Sequence, residues 1–237
     1  MYDLIIDTET TDIAKRMSAQ PNPSSMLIYD FGGVVRNTKT GEIVDSFSFI
    51  ISETFYNINL MNTAYYAKKL PRYHKGVQHG EWISVSFAYA YHYVHGLIEK
   101  YNIKTVWAYN ASFDVDTLNA TIRIYSNGFI SQFFDDNIKF KDIWNRVTNI
   151  TGTKKYVSWC IDNGYLSAKG NPKTSAEIVY RYLVNNHDFI EDHTAESDAR
   201  IEAFILTCAQ KNKKKSRVRD GLRANGWREA SRIAKSL

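Results

Sequence analysis

The segment YDLIIDTETT at residues 2–11 decides the fold predicted for this chain. Tyr2–Ile6 is rich in apolar and β-favouring residues and runs directly into polar residues, as expected of a central strand that ends in a loop. Alternate side chains of a strand project to the same face, so Asp7 and Glu9 point together on the side shared with Ile5. This pairs two negative charges, which costs stability unless a positive group sits between them.

The rest of the chain alternates between strand and helix patterns. Two apolar runs joined by the turn-forming Asn37–Gly41 predict a β-hairpin, and Gly32 and Gly33 inside its first strand suggest a bulge or a close backbone approach. Lys104–Tyr109 predicts another strand. The hairpin strands are predicted at Met26–Val35 and Glu42–Ile51, the helices at Asn57–Lys69, Glu81–Tyr101, Ser112–Tyr125, Lys154–Asp162, Ser175–Asn185 and Thr194–Gln210, and a loop at Pro71–Gly80. This order indicates a mixed α/β layer fold.

Composition and cysteine usage narrow the class of protein. The chain has 237 residues, of which 44% are hydrophobic, enough for one sizeable domain over residues 1–210. No stretch approaches the roughly 20 apolar residues that span a bilayer, and the first residues lack the features of a secretion signal. Cys160 and Cys208 have no partner at metal-ligand spacing and are expected to be buried and reduced. These features predict an intracellular, cytoplasmic protein without a membrane partner.

The positive charge is concentrated at the C-terminal end. Residues 211–237 contain ten Lys or Arg against Asp220 and Glu229, a local +8, which leaves 20 basic and 23 acidic residues, a net −3, in the rest. An acidic body with a basic end is typical of nucleic-acid-binding proteins that gather metal ions around carboxylates. A solvated basic helical tail without a specific partner is equally consistent with the pattern.

Two further acids begin apolar rows on predicted helices. Asp114 is followed by apolar residues at spacings of four, four and three, and Asp198 by residues at spacings of three, four and three. The two rows are Leu118, Ile122 and Tyr125, and Ile201, Ile205 and Cys208. Either acid alone could merely complement a helix dipole. Together with Asp7 and Glu9, however, they supply four negative charges, which balance two Mg²⁺ or Mn²⁺ ions, hard cations that prefer oxygen ligands.

His193 lies five residues before Asp198, just ahead of the helix that carries it. A histidine has a pKa near neutrality, which suits a general base that deprotonates water. Taken alone, His193 would also fit an ordinary surface residue. Its position next to a predicted carboxylate cluster favours the catalytic interpretation.

Three motifs in order resemble those of the DEDDh exonucleases, which include proofreading subunits of bacterial DNA polymerases, ribonuclease T and oligoribonuclease. The motifs are DTETT at Asp7–Thr11, YNASFDVDTL at Tyr109–Leu118 and HTAESDA at His193–Ala199. The resemblance spans Tyr2–Thr207. It implies a ribonuclease H-like α/β fold, with a mixed five-stranded sheet flanked by helices on both faces, and 3′-to-5′ phosphodiester hydrolysis with two divalent cations.

The resemblance also implies a role for each motif residue. The implied metal ligands are Asp7, Glu9, Asp114 and Asp198, with His193 as the base. Thr10 and Thr11 are implied to contact the terminal nucleotide, and Asn110 and Phe113 to support the site and the substrate strand.

The expected substrate is a single-stranded 3′ end, and we favour DNA over RNA. Two alternatives stay open: a 3′-to-5′ exoribonuclease, and a non-catalytic nucleic-acid-binding module of a replication complex. The basic tail could contact a duplex, a polymerase or another replication partner. The short chain, rich in lysine and asparagine, would suit a phage or a low-GC bacterium.

Overall fold

A six-stranded mixed sheet forms the centre of the molecule, in the order β4-β3-β2-β1-β5-β6. The computed structural model describes residues 1–11, 26–64, 66–212 and 226–236. β2 pairs antiparallel with both β1 and β3, whereas β4 pairs in parallel with β3, β5 with β1, and β6 with β5. The strands are β1 (Tyr2–Thr10), β2 (Ile28–Asn37), β3 (Ile43–Ile51), β4 (Ile83–Val85), β5 (Thr105–Ala108) and β6 (Lys139–Asp142).

Helices cover both faces of this sheet. β1 is buried on its two sides, with Leu4 and Ile6 in one apolar cluster and Ile5 in the other. The first cluster includes residues of α4 and α5, and the second residues of α8, α9 and α10. The helices are α1 (Ser52–Phe55), α2 (Ile58–Met61), α3 (Leu70–Gln78), α4 (Phe87–Lys100), α5 (Ala111–Tyr125), α6 (Ile143–Arg146), α7 (Thr148–Thr151), α8 (Lys154–Asp162), α9 (Ala176–Val184), α10 (Ala195–Lys211) and α11 (Gly226–Ala234), with a 3₁₀ turn at Ala67–Lys69.

Helix α10 is fixed to the sheet near both of its ends. Near its start the backbone passes so close to β2 that a Cβ atom on Gly32 would lie 2.1 Å from the Glu196 nitrogen. Near its end the fully buried Arg36 donates to Thr207 (2.9 Å) and forms a two-bonded pair with Asp3 (3.0 and 2.7 Å). The pairing with Asp3 makes this buried charge tolerable, and the hydrogen bonds from Arg36 to Thr207 and Gln210 (both 2.9 Å) hold the helix against the sheet.

The predicted α/β sheet and most predicted helices are confirmed, with three corrections between residues 57 and 101. Asn57–Lys69 is not one helix but a set of short turns, and Pro71–Gly80 is not a loop, because α3 occupies it with Pro71 in its first turn, where proline is tolerated. The predicted helix Glu81–Tyr101 divides into β4 and α4, and β6 lies in a segment for which no element was predicted. The sheet therefore has six strands and not the five that the resemblance implied. The three residues of β4 are too few for strand alternation to show in the sequence.

The division at residue 210 stays a prediction. Helix α10 continues to Lys211, and residues 213–225, which make up about half of the predicted basic tail, lie outside the described residues. Beyond them α11 packs against α6, α7 and α8, with Ala230 fully buried. Cys160 is buried, Cys208 is half-buried, and both are unpaired. Across the described parts of the chain, no helix has the length and apolar character to cross a membrane.

Candidate active site

The end of β1 supplies the first two carboxylates. Asp7 and Glu9 lie on the face that packs against α10, whereas Thr8 between them faces α5 and donates its hydroxyl hydrogen bond to Asp114 (2.9 Å). Asp114 is close because β5 runs parallel to β1 and leads into α5 after only two residues. The left-handed conformation of Asn110 (φ +68°) makes this sharp turn, and asparagine adopts it more readily than most residues.

The start of α10 supplies the fourth carboxylate and the histidine. The buried Asp30 accepts hydrogen bonds from the Ala195 backbone N–H (3.0 Å) and the Tyr73 hydroxyl (2.6 Å), which anchors the helix beside Glu9, the partner of Asp30 on β1. Asp198 follows in the first turn. The Asp198 carboxylate therefore lies beside β1 because Asp30 and Ala195, which are far apart in the sequence, are in contact.

His193 is held between two acids and an aromatic ring. Its Nδ1 lies 3.7 Å from Asp198 Oδ2 and 3.7 Å from Glu191 Oε2. Its ring stacks on Tyr66, with the ring centres 4.5 Å apart. The orientation of the imidazole is thus restricted from two sides.

A cavity of about 430 Å³ brings these residues together. All four predicted metal ligands and His193 line it, as do Thr10 and Phe113. Thr11 lies elsewhere, because it is fully buried and its hydroxyl bonds to the backbone of Leu27. Asn110 is also outside the lining. The full lining is Asp7, Thr8, Glu9, Thr10, Met26, Tyr66, Tyr109, Phe113, Asp114, Ala176, Glu191, His193, Asp198 and Glu202.

It is energetically unfavourable for all of these carboxylates to be charged at once. Burial, with repulsion from neighbouring acids, raises the pKa of Glu9 to about 10 and places the pKa of Asp7 well above its usual range. Burial also raises the pKa of Asp114 to about 7, although the hydrogen bond from Thr8 opposes this. A cluster of this kind needs either protons or cations to be stable.

The cluster fits divalent cations. Ligand atoms of Glu9, Asp198 and His193 all lie within 4.8 Å of one another. The buried Oδ1 of Asp198 has no hydrogen-bond partner among the described residues, so one of its lone pairs is available to a ligand. Hard cations such as Mg²⁺ and Mn²⁺ match the carboxylate oxygens of this cluster.

Sequence reasoning missed several charged residues around the cavity. Glu202 lies one helical turn after Asp198, and its buried carboxylate accepts the Tyr109 N–H (3.1 Å). Its spacing of four from Asp198 was visible in the sequence. Glu191 precedes His193 by two residues. Lys69 is a cation close enough to Glu9 and Glu191 to oppose part of the rise in the pKa of each. No sequence pattern connects Lys69 to this site.

Comparison with known proteins gives structural but not sequence matches. No protein-family model and no curated protein sequence matches the chain. Similar solved structures include a 3′-exonuclease that recognises the 3′ end of a histone mRNA stem-loop (15% identity, TM-score 0.59, 92% of this chain and 66% of that one). A second is the nuclease domain of 3′hExo, a DEDDh family member, bound to rAMP (16% identity, TM-score 0.55, 93% of this chain and 96% of that one). A third is E. coli Exonuclease I with a dA16 oligonucleotide (12% identity, TM-score 0.51, 90% of this chain and 41% of that one).

These matches define the class of fold. The chain has the ribonuclease H-like α/β fold of DEDDh 3′ exonucleases, as the three sequence motifs predicted. It spans nearly the whole 3′hExo nuclease domain, but only 41% of Exonuclease I. The similarity therefore concerns the nuclease fold and not the full length of the larger proteins.

Proposed function

We propose that this protein is a 3′-to-5′ exonuclease that hydrolyses phosphodiester bonds at nucleic-acid 3′ ends, with DNA as the favoured substrate. One observation carries the proposal: four acidic side chains from β1, α5 and α10 meet His193 in a single cavity. The fold is that of nucleases with the same kind of motif set. A structural role alone would not require three buried carboxylates and a half-buried one with so few cations beside them.

Asp7, Glu9, Asp114 and Asp198 would hold two divalent cations. When bound, such ions supply charge stabilisation to the attacking and leaving oxygens of an in-line displacement. His193 would accept the proton of the attacking water. Asp198 and Glu191 beside its ring raise the pKa of His193, and the stacked Tyr66 keeps the ring at the cavity.

The cavity wall suits a terminal nucleotide. Thr10 offers a hydroxyl group, and the aromatic rings of Phe113, Tyr109 and Tyr66 offer surfaces on which a base can stack. Stacking on aromatic rings accepts any base, which fits cleavage without strong sequence preference. Contacts of Thr11 and Asn110 with the substrate stay predictions.

Two other functions compete with the DNA exonuclease. Two of the similar structures concern RNA, one through a histone mRNA stem-loop and one through bound rAMP, which favours an exoribonuclease as the second candidate. The other competitor is a non-catalytic nucleic-acid-binding module. A polymerase or replication partner, the cytoplasmic location and a phage or bacterial source stay predictions.

Digestion of 5′-labelled single-stranded DNA and RNA of one sequence, with Mg²⁺, Mn²⁺ or EDTA, tests the proposal. We expect a metal-dependent ladder that shortens from the 3′ end, absent in Asp7→Ala and Asp198→Ala. Asp116→Ala is the matched control, because Asp116 is an exposed acid two residues after Asp114. Intact oligonucleotides under every condition would contradict the enzyme, and binding without turnover would favour the module. Faster loss of RNA would assign an exoribonuclease.

A further inference from the structure

An aromatic cluster lies outside the cavity on α8 and the segments around α9. The ring of Trp159 lies 4.9 Å from that of Tyr165 and 5.4 Å from that of His187, and Tyr165 and His187 are nearly parallel (11°). Trp159 also contacts Tyr182 (5.2 Å). His187 is exposed and the other three rings are half-buried. Rings that are only partly covered by protein can still take up flat, apolar partners.

The cluster is connected to the rim of the active site. Arg181 pairs with Glu177, and its guanidinium carbon lies 5.6 Å from the ring centre of Tyr165. Glu177 in turn has a carboxylate oxygen within 4.8 Å of ligand atoms of Glu191 and His193. Arg181, through its pair with Glu177, therefore connects the surroundings of His193 to the ring of Tyr165.

A basic cavity adjoins the same cluster. It has a volume of about 960 Å³ and is lined by Lys154, Lys155, Arg232 and Tyr182 among others. Arg232 is paired with Glu229 (2.8 Å), so the two lysines are the cations on which the surface depends. Both lysines are exposed, and neither forms an ion pair with a described residue. They occupy the first turn of α8, where the helix dipole disfavours cations and no acidic residue offsets them. Two lysines at a helix start, where the dipole favours negative charge, favour binding of an anionic partner at this point.

The geometry suits one continuous strand. Ala176 lines the catalytic cavity and Tyr182 lines the basic cavity, and both are on α9. Six residues of α-helix separate them, about 9 Å along the axis. The two residues also lie about 120° apart around the helix, so the path between the cavities is longer than this axial distance and corresponds to three nucleotides or more, at about 3.4 Å per nucleotide of one strand. Aromatic rings beside cations are the combination that holds single-stranded nucleic acid without sequence preference.

We propose that Trp159, Tyr165, His187, Tyr182, Lys154 and Lys155 form an aromatic–basic surface that binds the single strand upstream of its reacting 3′ end. Phosphates would contact the lysines and bases would stack on the rings. The inference rests on the proposed exonuclease function, because a strand whose end enters the cavity must leave it across a neighbouring surface. It predicts that long strands bind and are degraded better than short ones.

Charge reversal tests the basic part of the surface. The variant Lys154→Glu/Lys155→Glu is compared with Lys39→Glu/Lys104→Glu, which changes the same charge at two exposed lysines beside the opposite end of β1. Affinity for 5′-labelled 4-mer and 20-mer DNA is measured by fluorescence anisotropy in EDTA, so that no strand is cleaved. We expect the ratio of 20-mer to 4-mer affinity to fall roughly 10-fold in the first variant only. The slope of log affinity against log salt should fall by about 1.4, which corresponds to two lost phosphate contacts on a single strand.

Two substitutions at Tyr165 test the aromatic part of the aromatic–basic surface. Tyr165→Ala removes the ring, whereas Tyr165→Phe keeps the ring and removes only the hydroxyl that contacts His187 Nδ1 (3.1 Å). We expect the alanine variant to lose roughly 10-fold in 20-mer affinity and the phenylalanine variant to stay near wild type, as for a lost stacked base. Equal effects of the two variants would contradict stacking.

The outcomes separate this inference from the proposed function. If the Lys154/Lys155 variant keeps the wild-type length preference in binding and in Mn²⁺-dependent degradation, the aromatic–basic surface is wrong while the exonuclease stands. Equal losses in the Lys39/Lys104 control would also overturn it, because they would reflect net charge. If wild-type protein binds long strands through these lysines but cleaves nothing, the surface stands and the exonuclease fails.

Discussion

Replacing Asp114 by asparagine is expected to stabilise the metal-free protein at pH 8. Burial raises the pKa of Asp114 from its ordinary 3.8 to about 7, and each pKa unit corresponds to about 1.4 kcal/mol. At pH 8 the folded protein therefore holds a charge that costs on the order of 4 kcal/mol. Asparagine removes the charge, and its side-chain oxygen can still accept the Thr8 hydroxyl hydrogen bond, 2.9 Å long in the wild type.

The effect has a defined pH dependence. Because the folded pKa of Asp114 is above the unfolded value, the carboxyl contributes its full stability below about 3.8 and loses it as the pH rises through about 7. The advantage of the variant should be small at pH 4 and near its maximum at pH 8. For a chain of this length, about 4 kcal/mol corresponds to a rise in Tm on the order of 10 °C.

Thermal melts in EDTA at several pH values, with and without excess Mn²⁺, measure this effect. Asp116→Asn is the control, because it makes the same chemical change at an exposed position of α5. Mn²⁺ should reverse the order by raising the Tm of wild type more than that of the variant, since a ligand that binds only the folded state stabilises it. The reasoning is refuted if Asp114→Asn gains the same stability at pH 4 and pH 8, or if it lowers the metal-free Tm at pH 8.

Three further changes test the active-site framework. His193→Ala should lower the cleavage rate about 10²- to 10⁴-fold, and the Tm rise on adding Mn²⁺ should persist; loss of that rise would assign the histidine to metal binding. Gly32→Ala should lower both Tm and activity, because its Cβ would meet the α10 backbone, whereas Gly96→Ala, with nothing within 4 Å, should gain roughly 0.5–1 kcal/mol in urea unfolding. Tyr73→Phe removes a hydrogen bond to a buried acid and should cost about 1.5–3 kcal/mol in urea unfolding at pH 8; an unchanged midpoint would show that Asp30 does not depend on it.

The main features of the site were predictable because they are local. Asp7 and Glu9 share a strand face by the two-residue repeat, and Asp114 and Asp198 each begin a buried row by the helical repeat. Such periodicities depend only on the backbone geometry of a single element. The close approach expected at Gly32 was also readable, because glycine inside a strand often marks such a contact.

The remaining features depend on contacts between distant parts of the chain. Asp30 anchors α10 across 165 residues. Tyr66 lines the cavity, and Lys69 acts on the charge of Glu9, from a region whose helices were wrongly predicted. Short elements such as β4 carry too few residues for a periodic pattern, so tertiary packing decides their form. The sequence alone thus determined that Asp7, Glu9, Asp114 and Asp198 face inward. The packing of α9 and α10 on the sheet decided that they meet, and which further acids and which aromatic and basic residues lie beside them. Side-chain direction is set within one element, but convergence is set by the burial of several elements together.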